Sequence, residues 1–288
     1  MSPARPKHFM ALIRRGAWLL ALVSLPLVAL AEKTPPGPPW DDPPPELWFP
    51  VGEAIDYEVF WGVFMVGEAT AQAQWREQDG RRLLALTVDA QSNGIVEKLY
   101  PVKEHLETLL DPVTFLPISF EKESQEGRRY YHEITTFDHA TGQGYWRSLR
   151  SGKEKEFAIA DDTRDLLGLM YWIRKDPIRA GETREFPGVM TDEKLYEVIV
   201  EAGKAERVAL SEYGKVQCIK MEPKGKFNGM FVRKGRMWLW VSDDPRYTIC
   251  RVAASVPVAS IKIMLKRVRG PGDDFWVQAG ENKSGRKK

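Results

Sequence analysis

Met237-Trp238-Leu239-Trp240-Val241-Ser242-Asp243-Asp244-Pro245-Arg246 is apolar for five successive positions and then turns polar within one step. Aromatic and branched residues at both alternating positions describe a strand covered on both faces. Asp-Asp-Pro-Arg then closes it in a turn, since Asp suits the first position of a β-turn and Pro the next. This stretch is read as the centre of a sheet.

Outward from it the period is two nearly everywhere. Tyr247 to Ala254 and Ser260 to Val268 follow it, and Leu195 to Glu201, Glu206 to Ser211 and Val216 to Met221 precede it. Near the other end Ile55, Tyr57, Val59 and Trp61 alternate with Asp56, Glu58 and Phe60 and turn near Gly62 to Gly67 into Ala69, Ala71, Ala73 and Trp75. Leu84 to Ala90, Val102 to Leu110, Ile118 to Gln125, Arg128 to Phe137, Gln143 to Ser148 and Glu154 to Ile159 continue the pattern. Ile95 to Tyr100 is expected to make a single helical turn. The clear exception is Asp165 to Arg174, where Leu166, Leu169, Met170 and Ile173 fall on one helical face, with Asp162 or Thr163 as N-cap and Pro177 as the stop. The fold class is all-β and mainly antiparallel: a curved open sheet or half-barrel with one short amphipathic helix packed in the concavity.

The ends are of a different kind. Residues 1–31 have the features of a cleavable export signal, with basic Arg5, Lys7, Arg14 and Arg15, an apolar run from Ala17 to Leu30 and a small-x-small site at Ala29-Leu30-Ala31. Residues 32–50 carry prolines at 35, 36, 38, 39, 43, 44, 45 and 50, the composition of an extended linker. A single β-rich domain is expected over 51–268 and a disordered tail over 269–288. The whole chain carries 42 Lys and Arg against 40 Asp and Glu. Without the four basic residues of the signal the balance is near neutral, which excludes the electrostatic footprint of a nucleic-acid binder. Cys218 and Cys250 fall on strands separated by the Met237 strand, roughly 10 Å apart at about 4.8 Å per strand. That exceeds disulfide reach, so two buried free thiols are the favoured reading.

Val51-Gly52-Glu53, Trp61-Gly62 with Val66-Gly67-Glu68-Ala69, Tyr100-Pro101, Phe137-Asp138, Asp165-Leu166-Leu167 with Tyr171 and Arg174, and Trp240-Val241-Ser242-Asp243-Asp244 occur in this order. The succession resembles the bacterial exported proteins grouped as domain of unknown function 3108, over nearly all of Val51 to Val268. The resemblance implies a secreted or periplasmic β-rich protein with no established activity. By analogy it implies an open curved sheet similar to the periplasmic lipoprotein carriers.

No nucleophile elbow, phosphate loop or short-range metal spacing is present. His105, His132 and His139 are far apart in sequence, although His105 and His132 fall on strands that would be neighbours one removed, where a composite site is conceivable. Neither a cofactor nor a metal is expected. Asp243 and Asp244, with Arg246, form either a turn with a rim ion pair, which is favoured, or a polar site, the reading on which a carboxylate-dependent hydrolase would rest. Adjacent strand residues face opposite ways, which weighs against a shared site. Trp61, Met170, Trp238 and Trp240 are the candidates for contact with an apolar ligand.

The leading expectation is therefore an exported, non-enzymatic envelope protein that binds a hydrophobic or amphiphilic ligand such as a lipid, or an envelope partner, in the curved sheet, with no transmembrane segment after signal cleavage. A scaffold recruited through its proline-rich segment is the alternative.

Overall fold

A computed structural model describes residues 43–271 apart from 192–193, 228–229, 232–235 and 257–258. The signal segment, most of the proline-rich stretch and nearly all of the tail therefore lie outside the described residues. The first half is a meander: β1 (Ala54–Trp61), β2 (Phe64–Gln78), β3 (Arg81–Ser92), the short helix α1 (Gly94–Leu99), β4 (Val102–Leu110), β5 (Pro117–Glu126), β6 (Arg129–Asp138), β7 (Gln143–Ser148) and β8 (Glu154–Ala158). The two-residue β9 (Arg164–Asp165) runs directly into α2 (Leu166–Trp172). Then come β10 (Thr183–Thr191), β11 (Lys194–Leu210), β12 (Gly214–Phe227), β13 (Met230–Phe231), β14 (Arg236–Ser242), β15 (Ile249–Val256) and β16 (Ala259–Arg269).

All strands join one 16-stranded sheet in the order β8-β7-β6-β5-β4-β3-β2-β1-β16-β15-β14-β12-β11-β10-β9, with β13 beside β12. The first and last strands pair in the middle, Ile55 opposite Val268 and Trp61 opposite Ile261, so two meanders become one sheet. Among the described residues its ends, β8 and β9, do not pair, and the sheet stays open. Helix α2 packs on β3 and β4 of one arm and on β9 and β10 of the other, which places it in the concavity. Each side of the helix has its own partners. Leu169 and Ile173 meet Val200, Ile219, Met221, Leu239 and Val241; Leu167 meets Phe120, Phe137, Trp146 and Met190; Tyr171 meets Ala73, Leu84, Leu86, Leu110 and Phe115.

The two-sided character of β14 has a physical source on each face. Leu239 and Val241 face α2. Trp240 points the other way, into a second cluster with Cys218, Cys250, Val208, Leu210, Ile55, Leu265 and Val268. Its cover is the chain itself. The long β11 shifts register between Ala202 and Ala205, and the far part of the β11–β12 hairpin reaches β15 and β16. There Tyr213 Oη accepts the amide of Val268 at 2.8 Å. The segments 195–201 and 206–211, expected as two strands about Gly203, are thus one strand with a bulge. Cys218 and Cys250 are both buried and free, with β14 between their strands. The Cys218 side chain and burial push the Cys250 thiol pKa upward.

The N-cap of α2 is Asp165 and not Asp162 or Thr163. Its Oδ1 accepts the amide of Gly168 at 2.9 Å and the hydroxyl of Thr108 at 2.7 Å. Thr163 is spent on the preceding turn, where its hydroxyl accepts the amide of Ala160. Asp165 is fully buried and, among the described residues, its Oδ2 has no hydrogen-bond partner, so burial holds its pKa above the ordinary carboxylate value despite the hydrogen bonds that lower it.

Behind the helix lies a buried ion pair. Arg174, just past α2, donates from Nη1 and Nη2 to the two oxygens of Glu53 and from Nε to the carbonyl of Arg246 at 3.0 Å. Burial opposes the arginine charge, but the bond and attraction of Glu53 outweigh it and hold the Arg174 pKa above its ordinary value. Gly52, at φ +103°, makes the turn that aims Glu53 inward, with its amide bonded to the carbonyl of Ala73.

Two outcomes follow. Arg174→Met, which leaves the Glu53 charge buried alone, lowers the unfolding free energy by about 3–5 kcal/mol, whereas Glu53→Leu combined with Arg174→Met costs less than the sum of the single changes; denaturant melts of the three variants measure both. For Asp165 the folded chain holds the proton more tightly than the unfolded one. The stability it contributes is complete below the unfolded carboxylate pKa, about 3.9, and is lost as pH rises through the folded value. Asp165→Asn, which keeps an oxygen for Gly168 and Thr108, therefore gains stability relative to the parent as pH rises above about 4 in paired melts.

Candidate functional site

The face of the sheet that looks toward α2 is not filled uniformly. Strand register sets out two transverse rows on it: Val59, Ile263, Val252 and Leu239, then Trp61, Ile261, Ala254 and Met237. Near the helix the wall is closed, with Val241 at 0% exposure and Leu239 buried beside it. In the outermost row Trp61 is 54% exposed, Ile261 39% and Met237 36%. Val63, Phe64 and Met65, at the tip of the β1–β2 hairpin, extend this apolar rim, and Phe64 is the register partner of Trp61. The approach of β3 here is close, since a Cβ on Gly67 would stand 2.4 Å from the Gln91 carbonyl oxygen. On the adjoining part of the same face small residues replace large ones, Ala69 opposite Ala90.

The residues singled out in the sequence fall on different surfaces. Trp61 stands on the rim and Met170 is half-buried on α2. Trp238 and Trp240 lie on the opposite face of β14. Lys220 Nζ stands over both rings, at 5.4 and 5.1 Å, and Arg251 over Trp240 at 4.2 Å. The Trp240 indole N–H donates to Glu206. The aspartate pair is divided between solvent and turn. Asp243 is exposed, while Asp244 Oδ1 accepts the Ser242 hydroxyl at 3.1 Å and the Arg246 amide at 2.9 Å. Ser242 Oγ in turn accepts the amide of Thr248. Arg246 offers its carbonyl to Arg174.

Two features have little or no signature in sequence. Trp48 and Phe49, at the end of the proline-rich stretch, are docked beside α2: the Trp48 indole donates to the carbonyl of Tyr171 at 2.7 Å, and its ring lies 4.6 Å from Phe115 and 5.5 Å from Trp172. Arg164 caps this aromatic group, 3.8 Å from the Trp172 ring, with its pKa lowered to about 10 by burial. The second feature is a polar trough of about 660 Å³ across β2 to β6. Asp89, His105, Glu123 and His132 are successive cross-strand partners there, so they share one face. It is the face turned away from α2, since Leu84 and Leu86 of the same strand as Asp89 point toward the helix.

The family model described as protein of unknown function (DUF3108) matches residues 56–266. No curated protein matches the chain in sequence. Among solved structures, a β-barrel-like protein of domain of unknown function DUF1849 from Brucella abortus is similar in fold at 10% identity, over 76% of this chain and 97% of that one, with a TM-score of 0.51. A lipoprotein candidate from Parabacteroides distasonis, at 8% identity, is covered to 98% by 77% of this chain, with a TM-score of 0.29.

The turn chemistry has a direct test. Asp244→Ala removes the acceptor of two bonds and lowers the unfolding free energy by about 1–2 kcal/mol, whereas Asp243→Ala stays within about 0.5 kcal/mol of the parent in the same denaturant titration.

Proposed function

We propose, from the premise that this chain belongs to the DUF3108 family, that it is a non-enzymatic protein of the bacterial envelope that takes a hydrophobic or amphiphilic ligand on the concave wall of its sheet. One observation carries the reading: along β14 the apolar face passes from fully buried Val241 beside α2 through Leu239 to Met237, and in the same outermost row Met237, Ile261 and Trp61 are a third to a half exposed. A continuous apolar wall open at one end is what an acyl chain needs, and large exposed apolar patches mark interaction surfaces. Trp61 and Phe64 would flank the entrance, and Met170 on the helix would supply a flexible contact. Trp238 and Trp240 would serve the packing of the other face. The basic and apolar segments before residue 32 support an exported location, and among the described residues no helix is long and apolar enough to cross a membrane. The hydrolase reading is less favoured, since Asp244 Oδ1 is engaged by its own turn.

A fluorescent fatty acid added to the purified chain is expected to bind saturably and to be displaced by unlabelled fatty acid. Trp61→Ala combined with Phe64→Ala weakens it by about tenfold or more at unchanged melting temperature. Absence of probe binding, together with native mass spectra free of co-purifying lipid, rejects the reading.

A further inference from the structure

The polar trough on the face away from α2 holds a constellation that the concave wall does not explain. His132 of β6 lies directly opposite Glu123 of β5 and diagonal to Glu121 of the same strand. Its Nε2 is 2.6 Å from Glu121 Oε1 and 3.4 Å from Glu123 Oε1. One imidazole nitrogen and two carboxylate oxygens, one from each residue, all stand within 4.8 Å of one another. On the other side of Glu123, in the same transverse row, His105 has its Nδ1 2.6 Å from Asp89 Oδ1.

We propose that His132, Glu121 and Glu123 form a binding site for a divalent transition ion of the zinc type, with His105 and Asp89 beside it. Three arguments favour an ion over a set of surface ion pairs. A neutral imidazole can give only one hydrogen from Nε2, yet two carboxylates converge on that nitrogen; a cation drawn into the group would satisfy both acids and the nitrogen lone pair together. The donor set is borderline in hardness: the imidazole selects for zinc and its first-row neighbours, while calcium and magnesium demand all-oxygen shells. The backbone is also regular here, since β5 and β6 pair without a register shift from Ser119 to Glu126, which holds the donors on rigid strands. Three protein ligands leave coordination positions open toward the 660 Å³ trough, where water can complete the shell. Lys103 and Arg150 also line the trough, and Arg150 is drawn aside over the Tyr130 ring at 5.7 Å.

The test is titration of the tag-free full chain with zinc chloride by calorimetry, after chelator treatment. One saturable site per chain is expected. His132→Ala and the pair Glu121→Gln with Glu123→Gln each weaken it at least about tenfold. His139→Ala, whose imidazole bonds the carbonyl of Pro117 instead, leaves it unchanged. His132 is partly exposed, so its variant should keep the parent melting temperature without metal; circular dichroism checks this. Lack of zinc binding by the parent chain overturns the proposal. So does an equal loss in His139→Ala, or undiminished affinity in the folded His132→Ala variant.

Discussion

Burying a charge is tolerable only when its partner arrives with matching geometry, and the pair of Glu53 and Arg174 imposes that condition on the whole molecule. The two residues are 121 positions apart, and Arg174 also holds the carbonyl of Arg246, 72 positions further on. The turn before β1, the chain leaving α2 and the turn between β14 and β15 must therefore meet. The ring faces of Phe49 and Tyr171 lie about 5 Å from the Arg174 guanidinium and exclude water from it. Segments far apart in sequence, at Val51 to Glu53, Asp165 to Arg174 and the turn that follows Trp240 to Asp244, come together at this point. Their meeting here is a requirement of packing and charge, and does not by itself indicate a catalytic centre.

From that junction the sheet divides its labour by face. Helix α2 fills the deep part of the concavity with Leu167, Leu169, Tyr171 and Ile173, each against a different set of strands. A seven-residue helix cannot reach the rim, so the same wall is left uncovered where β1, β16 and β14 end. On the other side the folded-over end of the β11–β12 hairpin covers Trp240 and the thiols. Away from α2 the first meander buries a small group of Leu83, Ala85 and Leu109, and further along the same face the residues are polar, from Asp89 to His132.

Much of the architecture was legible in the chain because alternation is a local property. The strands Val102 to Leu110 and Gln143 to Ser148 have the bounds that their patterns describe, and the helix lies within Asp165 to Arg174. The family resemblance is likewise upheld by the match over residues 56–266. What failed was local chemistry with two solutions. Asp162, Thr163 and Asp165 are all good caps, and only the burial of Asp165 against Thr108 selects it. Gly203 punctuates a strand pattern equally well as a turn or a bulge, and continued pairing with β12 makes it a bulge. The candidate contacts are divided between surfaces. Trp61 and Trp240 are alike in sequence, yet one is half exposed and the other buried beneath a hairpin.

The sequence by itself determined the alternation of most strands, the helix within Asp165 to Arg174 and the covering of Leu239 to Val241 on both faces, since these depend on side-chain pattern within a few residues. Only the tertiary structure decided which surfaces meet. The ion pair across 121 positions, the docking of Trp48 and Phe49 and the row from Asp89 to His132 depend on strand order and register. Those are set by the burial and charge matching of the whole sheet, which no short window of sequence contains.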